Sequence, residues 1–170
     1  MAVKFTDSEI AKLIEERKVL SEKHHSGLEP RIKRAHKEQD LNIEGEDGSH
    51  FRLILRQSTV NRFDFSIILA VMPEGSNQLF RLRRYNGKSH EHTNQIEGMT
   101  PFYDFHIHYA TERYQDCGAR EDAYAETTDR YADFPGALLC MLKDCAFIVP
   151  EGGQTRLFGG FNYVYRTDSK

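Results

Sequence analysis

The chain has 170 residues, 39% of them hydrophobic and 29% charged, with a formal net charge of -3. This is the mix of one soluble globular domain spanning residues 1–170, too apolar for a disordered chain. No run of 18 apolar residues predicts a membrane span, and the start Met1-Ala2-Val3-Lys4-Phe5-Thr6-Asp7 lacks an apolar signal core. Three cysteines, Cys117, Cys140 and Cys145, with no Cys-x-x-Cys pair, exclude a disulfide scaffold and a zinc ribbon and suit a reducing, cytoplasmic setting.

In chain order, Phe5-Thr6-Asp7-Ser8-Glu9-Ile10 opens a helix, with Thr6 and Glu9 as a capping box and Phe5 placed to staple onto Ile10. Ile10, Leu13, Ile14 and Leu20 form its apolar stripe, so the helix is predicted over about 6–25, with His24 and His25 at its cationic end and Ser26-Gly27 as the stop. A polar connector follows, with a short extended piece through Ile43. Across a sheet-rich core of about 36–110 the apolar period is two, predicting strands at His50 to Ser58, Phe63 to Met72, Leu79 to Tyr85 and Phe102 to Tyr109. Turn clusters Glu46-Asp47-Gly48-Ser49, Pro73-Glu74-Gly75-Ser76-Asn77 and Gly98-Met99-Thr100-Pro101 separate them, so the strands form an antiparallel meander. Asp133 caps a second helix over about 133–145, with Pro135 in its first turn and a run, Ala137 to Leu142, apolar enough to be buried all round. Phe147-Ile148-Val149 and Phe161 to Tyr165 are C-terminal strand candidates within 146–166. The expected class is therefore α+β: an N-terminal helix, a largely antiparallel sheet of about five to six strands, and a buried helix in the C-terminal half.

Four of the eight histidines stand as two His-x-His units, His90-Glu91-His92 and His106-Ile107-His108. On strands, alternate residues share a face. A hairpin centred on Met99 would oppose His90 to His108 and His92 to His106 and bring all four to one face, with Asn94 opposite Asp104 and Phe105, Ile107 and Tyr109 turned to the core. Imidazoles so placed suit a divalent transition metal, zinc, iron or manganese, held by two or three of His90, His92, His106 and His108 with a carboxylate from Glu97, Asp104 or Glu112. They equally suit metal-free acid–base work on a phosphate-like group, with Arg84 or Arg113 stabilising charge and Gly87 and Lys88 letting an anion approach. The spacing departs from the cupin metal motifs, from the barrel amidohydrolases and from the two-histidine phosphoesterases. Cys140 and Cys145 read as buried and Cys117 as reachable.

Charge is uneven: residues 31–88 carry 11 Lys and Arg against 7 Asp and Glu, and residues 89–151 carry 4 against 12. Such blocks can steer a charged partner or support head-to-tail self-association. Arg81, Arg83 and Tyr85 alternate along one strand, with Arg84 and Lys88 nearby, a pattern that could follow a nucleic-acid backbone and stack a base. The acidic stretch Glu112 to Asp133, with Tyr114, Tyr124 and Tyr131, could engage a basic protein.

The stretch from Phe80 to Asn94, with Phe102 to Tyr114 and Asp129 to Cys145, resembles a family of small bacterial proteins of unknown function over residues 51–147. The resemblance implies a setting among mobile-element and defence genes and brings no activity or catalytic residues with it. Two functions follow. The first is engagement of a phosphodiester, nucleotide or nucleic acid through His90, His92, His106, His108 and Glu112, with Arg81, Arg83, Arg84, Tyr85, Lys88 and Arg113 as substrate contacts, as in a metal-assisted hydrolase with His90, His92, His106, His108 and Asp104 as ligands. The second is a non-catalytic interaction module, antitoxin-like or inhibitor-like, acting on a protein partner or as a homo-oligomer.

Overall fold

The structure, a computed structural model, describes residues 2–21 and 31–149. Its elements in chain order are α1 (Asp7–Glu15), β1 (Lys18–Val19), β2 (Arg31–Lys33), β3 (His36–Glu44), β4 (His50–Ser58), β5 (Phe65–Met72), β6 (Phe80–Asn86), β7 (His106–Tyr109), α2 (Glu112–Asp116), β8 (Tyr124–Thr127), α3 (Phe134–Asp144) and β9 (Phe147–Ile148). Strands β2 to β8 form one seven-stranded antiparallel sheet in chain order, and β1 pairs in parallel with β9. The class is the α+β arrangement expected, with seven strands in the main sheet rather than five or six.

The capping box at Thr6 and Glu9 forms as expected, but α1 stops at Glu15, not near 25. Tertiary partners override the helical periodicity there. The Glu16 carboxylate accepts the backbone N–H groups of Asp47 and Ser49 in the β3–β4 turn, and Lys18 is drawn into β1. Leu20, expected on the helix stripe, is buried beyond β1 instead. His24, His25, Ser26-Gly27 and the Phe161 to Tyr165 strand candidate lie outside the described residues.

Period-two alternation puts β3–β7 on the core through registered rows. Leu55, Ile67, Tyr85 and Ile107 oppose one another across four strands, and Leu41, Leu53 and Leu69 across three. All are at most 2% exposed, and burying each aliphatic side chain contributes about 1.5–3 kcal/mol. A bulge between Leu69 and Ala70 inserts one residue into β6, so that Leu82 and Tyr85, three apart, are both buried. Arg84 and Asn86 are thereby set on the face opposite the core.

Helix α3 is capped by Asp133, whose side chain accepts from Gly136 N–H at 2.8 Å. Only one face of it is buried, through Phe134, Ala137, Leu138, Met141 and Leu142, while Leu139 is exposed. The all-round burial expected from its apolar run is corrected accordingly. The acidic stretch after residue 111 supplies one short helix and one strand. Thr111 caps α2, Tyr114 and Tyr131 are buried, and β8 adds the last strand. Tyr114 and Tyr131 are thus core, whereas Tyr124, on β8, is half-buried. Cys117 is exposed and Cys145 buried as expected, whereas Cys140, expected to be buried, is half-buried. Among the described residues no helix is long and apolar enough to cross a membrane.

Gly87 closes β6 against the backbone of Phe63; a Cβ there would stand 1.8 Å from the Phe63 carbonyl oxygen. Gly87→Ala is expected to cost about 2 kcal/mol or more, read as a fall in the urea midpoint. An unchanged midpoint would mean that this crossing yields easily.

Candidate metal centre

The expected hairpin does not form. His106 opposes Asn86, and His108 opposes Arg84, because β7 pairs with β6. Continuity of the apolar row explains the choice: only this register places Ile107 beside Tyr85 on the core side. Phe105, Ile107 and Tyr109 do face that side. Residues 87–105, expected to supply a strand at His90-Glu91-His92 and the start of another at Phe102, form a loop closed by a single bridge between His92 and Phe102.

That loop nevertheless folds back over the polar face of β6 and β7. His92, His106 and His108 meet there, with one ring nitrogen from each lying within 4.8 Å of the others. Ring centroids are 5.5 Å apart for His92 and His106, 4.8 Å for His92 and His108, and 5.0 Å for His106 and His108. A tetrahedral ion with bonds of about 2.1 Å needs nitrogens about 3.4 Å apart, so shifts of about 1 Å close the group on an ion.

The second nitrogen of each ring is already committed. His106 Nδ1–H donates to the Asp104 carbonyl at 2.7 Å, and His108 Nδ1–H to the Asp122 carbonyl at 2.8 Å. Each therefore keeps its Nε2 lone pair, and among the described residues His106 Nε2 meets only the Asn86 amide at 3.4 Å, the long limit of a hydrogen bond. His92 is set through Asn94. The Asn94 amide donates to Ala125 O at 2.7 Å and its Oδ1 accepts from Ala125 N–H at 2.9 Å, which fixes Oδ1 as an acceptor facing His92 Nε2 at 3.0 Å. His92 Nε2–H therefore donates to Asn94 Oδ1. Such outer partners are what orient metal-binding imidazoles.

Burial holds His106 below the usual imidazole range, and burial, with His106 and His92 alongside, brings His108 down to about 3. Both rings are 4% exposed. They are neutral at pH 7, the form that ligates.

The group opens into a cavity of about 420 Å³, lined also by His36, Asp64, His90, Arg56, Arg84 and Arg120. The other expected site residues divide sharply. His90 lines the cavity but is exposed and outside the three. Asp104 contributes its carbonyl and not its carboxylate, and its side chain is exposed. Glu112 is tied to Asp7, where its carboxylate accepts the backbone N–H, and Glu97 to Tyr114 and Arg113. Of the expected substrate contacts only Arg84 lines this cavity. Arg81 pairs with Glu121, Arg83 sits over Tyr109, Lys88 over Phe63 and Phe105, and Arg113 over Tyr114 and Tyr124. Tyr85 is fully buried with its hydroxyl donating to Asp144, so it offers no ring to a base. Sequence reasoning missed Asn94, Asp122, Arg120, His36 and Asp64; they approach the histidines only through chain reversals, and no spacing marks them.

The fold and site together define an α+β protein built on an antiparallel meander, with three histidines that could hold a metal ion on its polar face. No family model matches the chain, and neither a curated protein nor a solved structure is found to be similar to it.

Proposed function

We propose that the protein is a metal-dependent hydrolase of phosphodiester or nucleotide substrates, including nucleic-acid ends, with His92, His106 and His108 as the ligands of one zinc, iron or manganese ion. The observation that carries this reading is the convergence of the three imidazoles, with a ring nitrogen from each within 4.8 Å of the others at a cavity and one nitrogen of each ring held by a hydrogen bond. An ion there supplies Lewis acidity and a water made acidic near neutral pH. In the reaction a water oxygen forms a new P–O bond as one P–O ester bond breaks, and a proton passes to the leaving oxygen. His90, on the same cavity and outside the three, is the imidazole left for that proton transfer.

Elemental analysis of the untagged protein tests this. About one transition-metal ion per chain is expected, lost in His106→Ala and weakened about 100-fold in His92→Ala, with far-ultraviolet circular dichroism unchanged. Hydrolysis of a chromogenic phosphodiester should follow metal content. A chain that arrives without metal and, after chelation, takes up none of zinc, iron or manganese overturns the reading.

A further inference from the structure

Beside the three histidines lies a charge arrangement that an ion does not account for. Arg84 stands opposite His108 across β6 and β7, which places their Cβ atoms about 5 Å apart. Its side chain is only 15% exposed, and its Nη2 lies 3.0 Å from Oδ2 of the completely buried Asp122. The approach is a charge contact without hydrogen-bond alignment: among the described residues, Arg84 Nε, Arg84 Nη2 and Asp122 Oδ2 are buried with no hydrogen-bond partner. The other Asp122 oxygen, Oδ1, accepts from Arg120 Nε. Two guanidinium groups therefore share one carboxylate, one positive charge is left over, and both arginines line the histidine cavity.

Buried donors without acceptors are rare in folded proteins and call for a ligand or a local role. Little in the cavity competes for them. Of the acidic side chains that line it, Asp64 is occupied by His36 Nε2 at 3.1 Å and by Ser89 Oγ at 3.2 Å, and Glu91 is exposed. Arg56, on the same wall, is paired with Glu38.

We propose that Arg84 and Arg120 form an oxyanion subsite that takes a phosphoryl group beside the three histidines. A tetrahedral phosphoryl group offers oxygens to both guanidinium groups at once, while a planar carboxylate has two oxygens in one plane; the fixed fork of arginine favours such polydentate contact. The cavity, about 420 Å³, falls in the range of small-molecule sites, so the group belongs to a nucleotide-sized ligand or to a single strand end, not to a duplex lying across the surface. The subsite takes its catalytic meaning from the hydrolase reading, but its binding needs no ion.

Calorimetric titration of inorganic phosphate into chelator-treated protein, with acetate as the carboxylate control, decides the matter. Phosphate is expected to bind the wild type and acetate to bind at least about tenfold more weakly. Arg120→Gln, at a half-exposed side chain, should weaken phosphate about tenfold, and Arg84→Lys by about tenfold or more, while Arg17→Gln, at an exposed side chain paired with Glu46 and outside the cavity, binds it as the wild type does. Should Arg84→Lys fail to fold, Arg120→Gln carries the decision. Phosphate that fails to bind the chelator-treated wild type, or binds Arg120→Gln and Arg84→Lys undiminished, overturns the subsite even where the protein holds metal. Arginine-dependent phosphate binding in a chain that takes up no metal supports the subsite and removes the hydrolase reading instead.

Discussion

Lys18→Met is expected to remove about 4 kcal/mol of stability, a loss at the top of the range for a single side chain. Lys18 is fully buried, and its ammonium donates to the carbonyls of Leu13, Ile14 and Glu16 at the end of α1 and of Cys145 at the end of α3, at 3.0, 3.1, 2.7 and 2.8 Å. It also lies 4.4 Å from the centroid of the Phe51 ring. One cation thus satisfies carbonyls that two helix ends leave without partners, and it joins the N-terminal helix to the C-terminal one across the β1–β9 pair. Methionine keeps most of the apolar stem and its packing but supplies no donor, so four carbonyls, three of them in buried hydrogen bonds, lose their partner. Urea unfolding at pH 7 measures the effect. A loss below about 1 kcal/mol would mean that water enters and replaces the ammonium.

Acid should destabilise the chelator-treated protein well above the pH at which carboxylates titrate. His108 is held down to about 3 by burial, and an imidazole in the unfolded chain titrates near 6.5. In the window between these values the unfolded chain binds the proton and the folded one does not, so stability is full above about 6.5 and falls as the pH falls toward 3. From pH 7 to pH 5 the loss is about 2 kcal/mol from His108, and His106, shifted the same way by its burial, adds to it. Urea midpoints at the two pH values read this directly. His108→Gln should flatten the slope, and a slope equal to that of the wild type would mean that His108 does not stay neutral in the fold.

How far the site was legible depends on which contacts are local. The His106-Ile107-His108 unit, read as a strand with histidines on one face and Ile107 on the core, needs only the period of a strand, and it stands so in the structure. The meeting with His92 was also anticipated, but for a reason that does not hold. Opposition of His92 to His106 in a hairpin is replaced by a loop that Asn94 fastens to β8. The basic strand face misled for a related reason. Strict alternation places Arg81, Arg83 and Tyr85 together, whereas the β6 bulge breaks the alternation and buries Tyr85 with Leu82.

The sequence by itself determined the α+β class, the antiparallel meander, the caps at Thr6 and Asp133, and the pairing of histidines two apart, because each depends on neighbours within a few residues or on a repeating period. Only the tertiary structure decided where α1 ends, which strand β7 joins, and which imidazoles converge. Those outcomes turn on the burial of Lys18 against Cys145, on the row that Ile107 completes with Tyr85, and on the clamp of Asn94 against Ala125. The partners in these contacts lie from 22 to 127 residues apart. Nothing in local propensity or period ranks such contacts; the free energy of closing one shared core does.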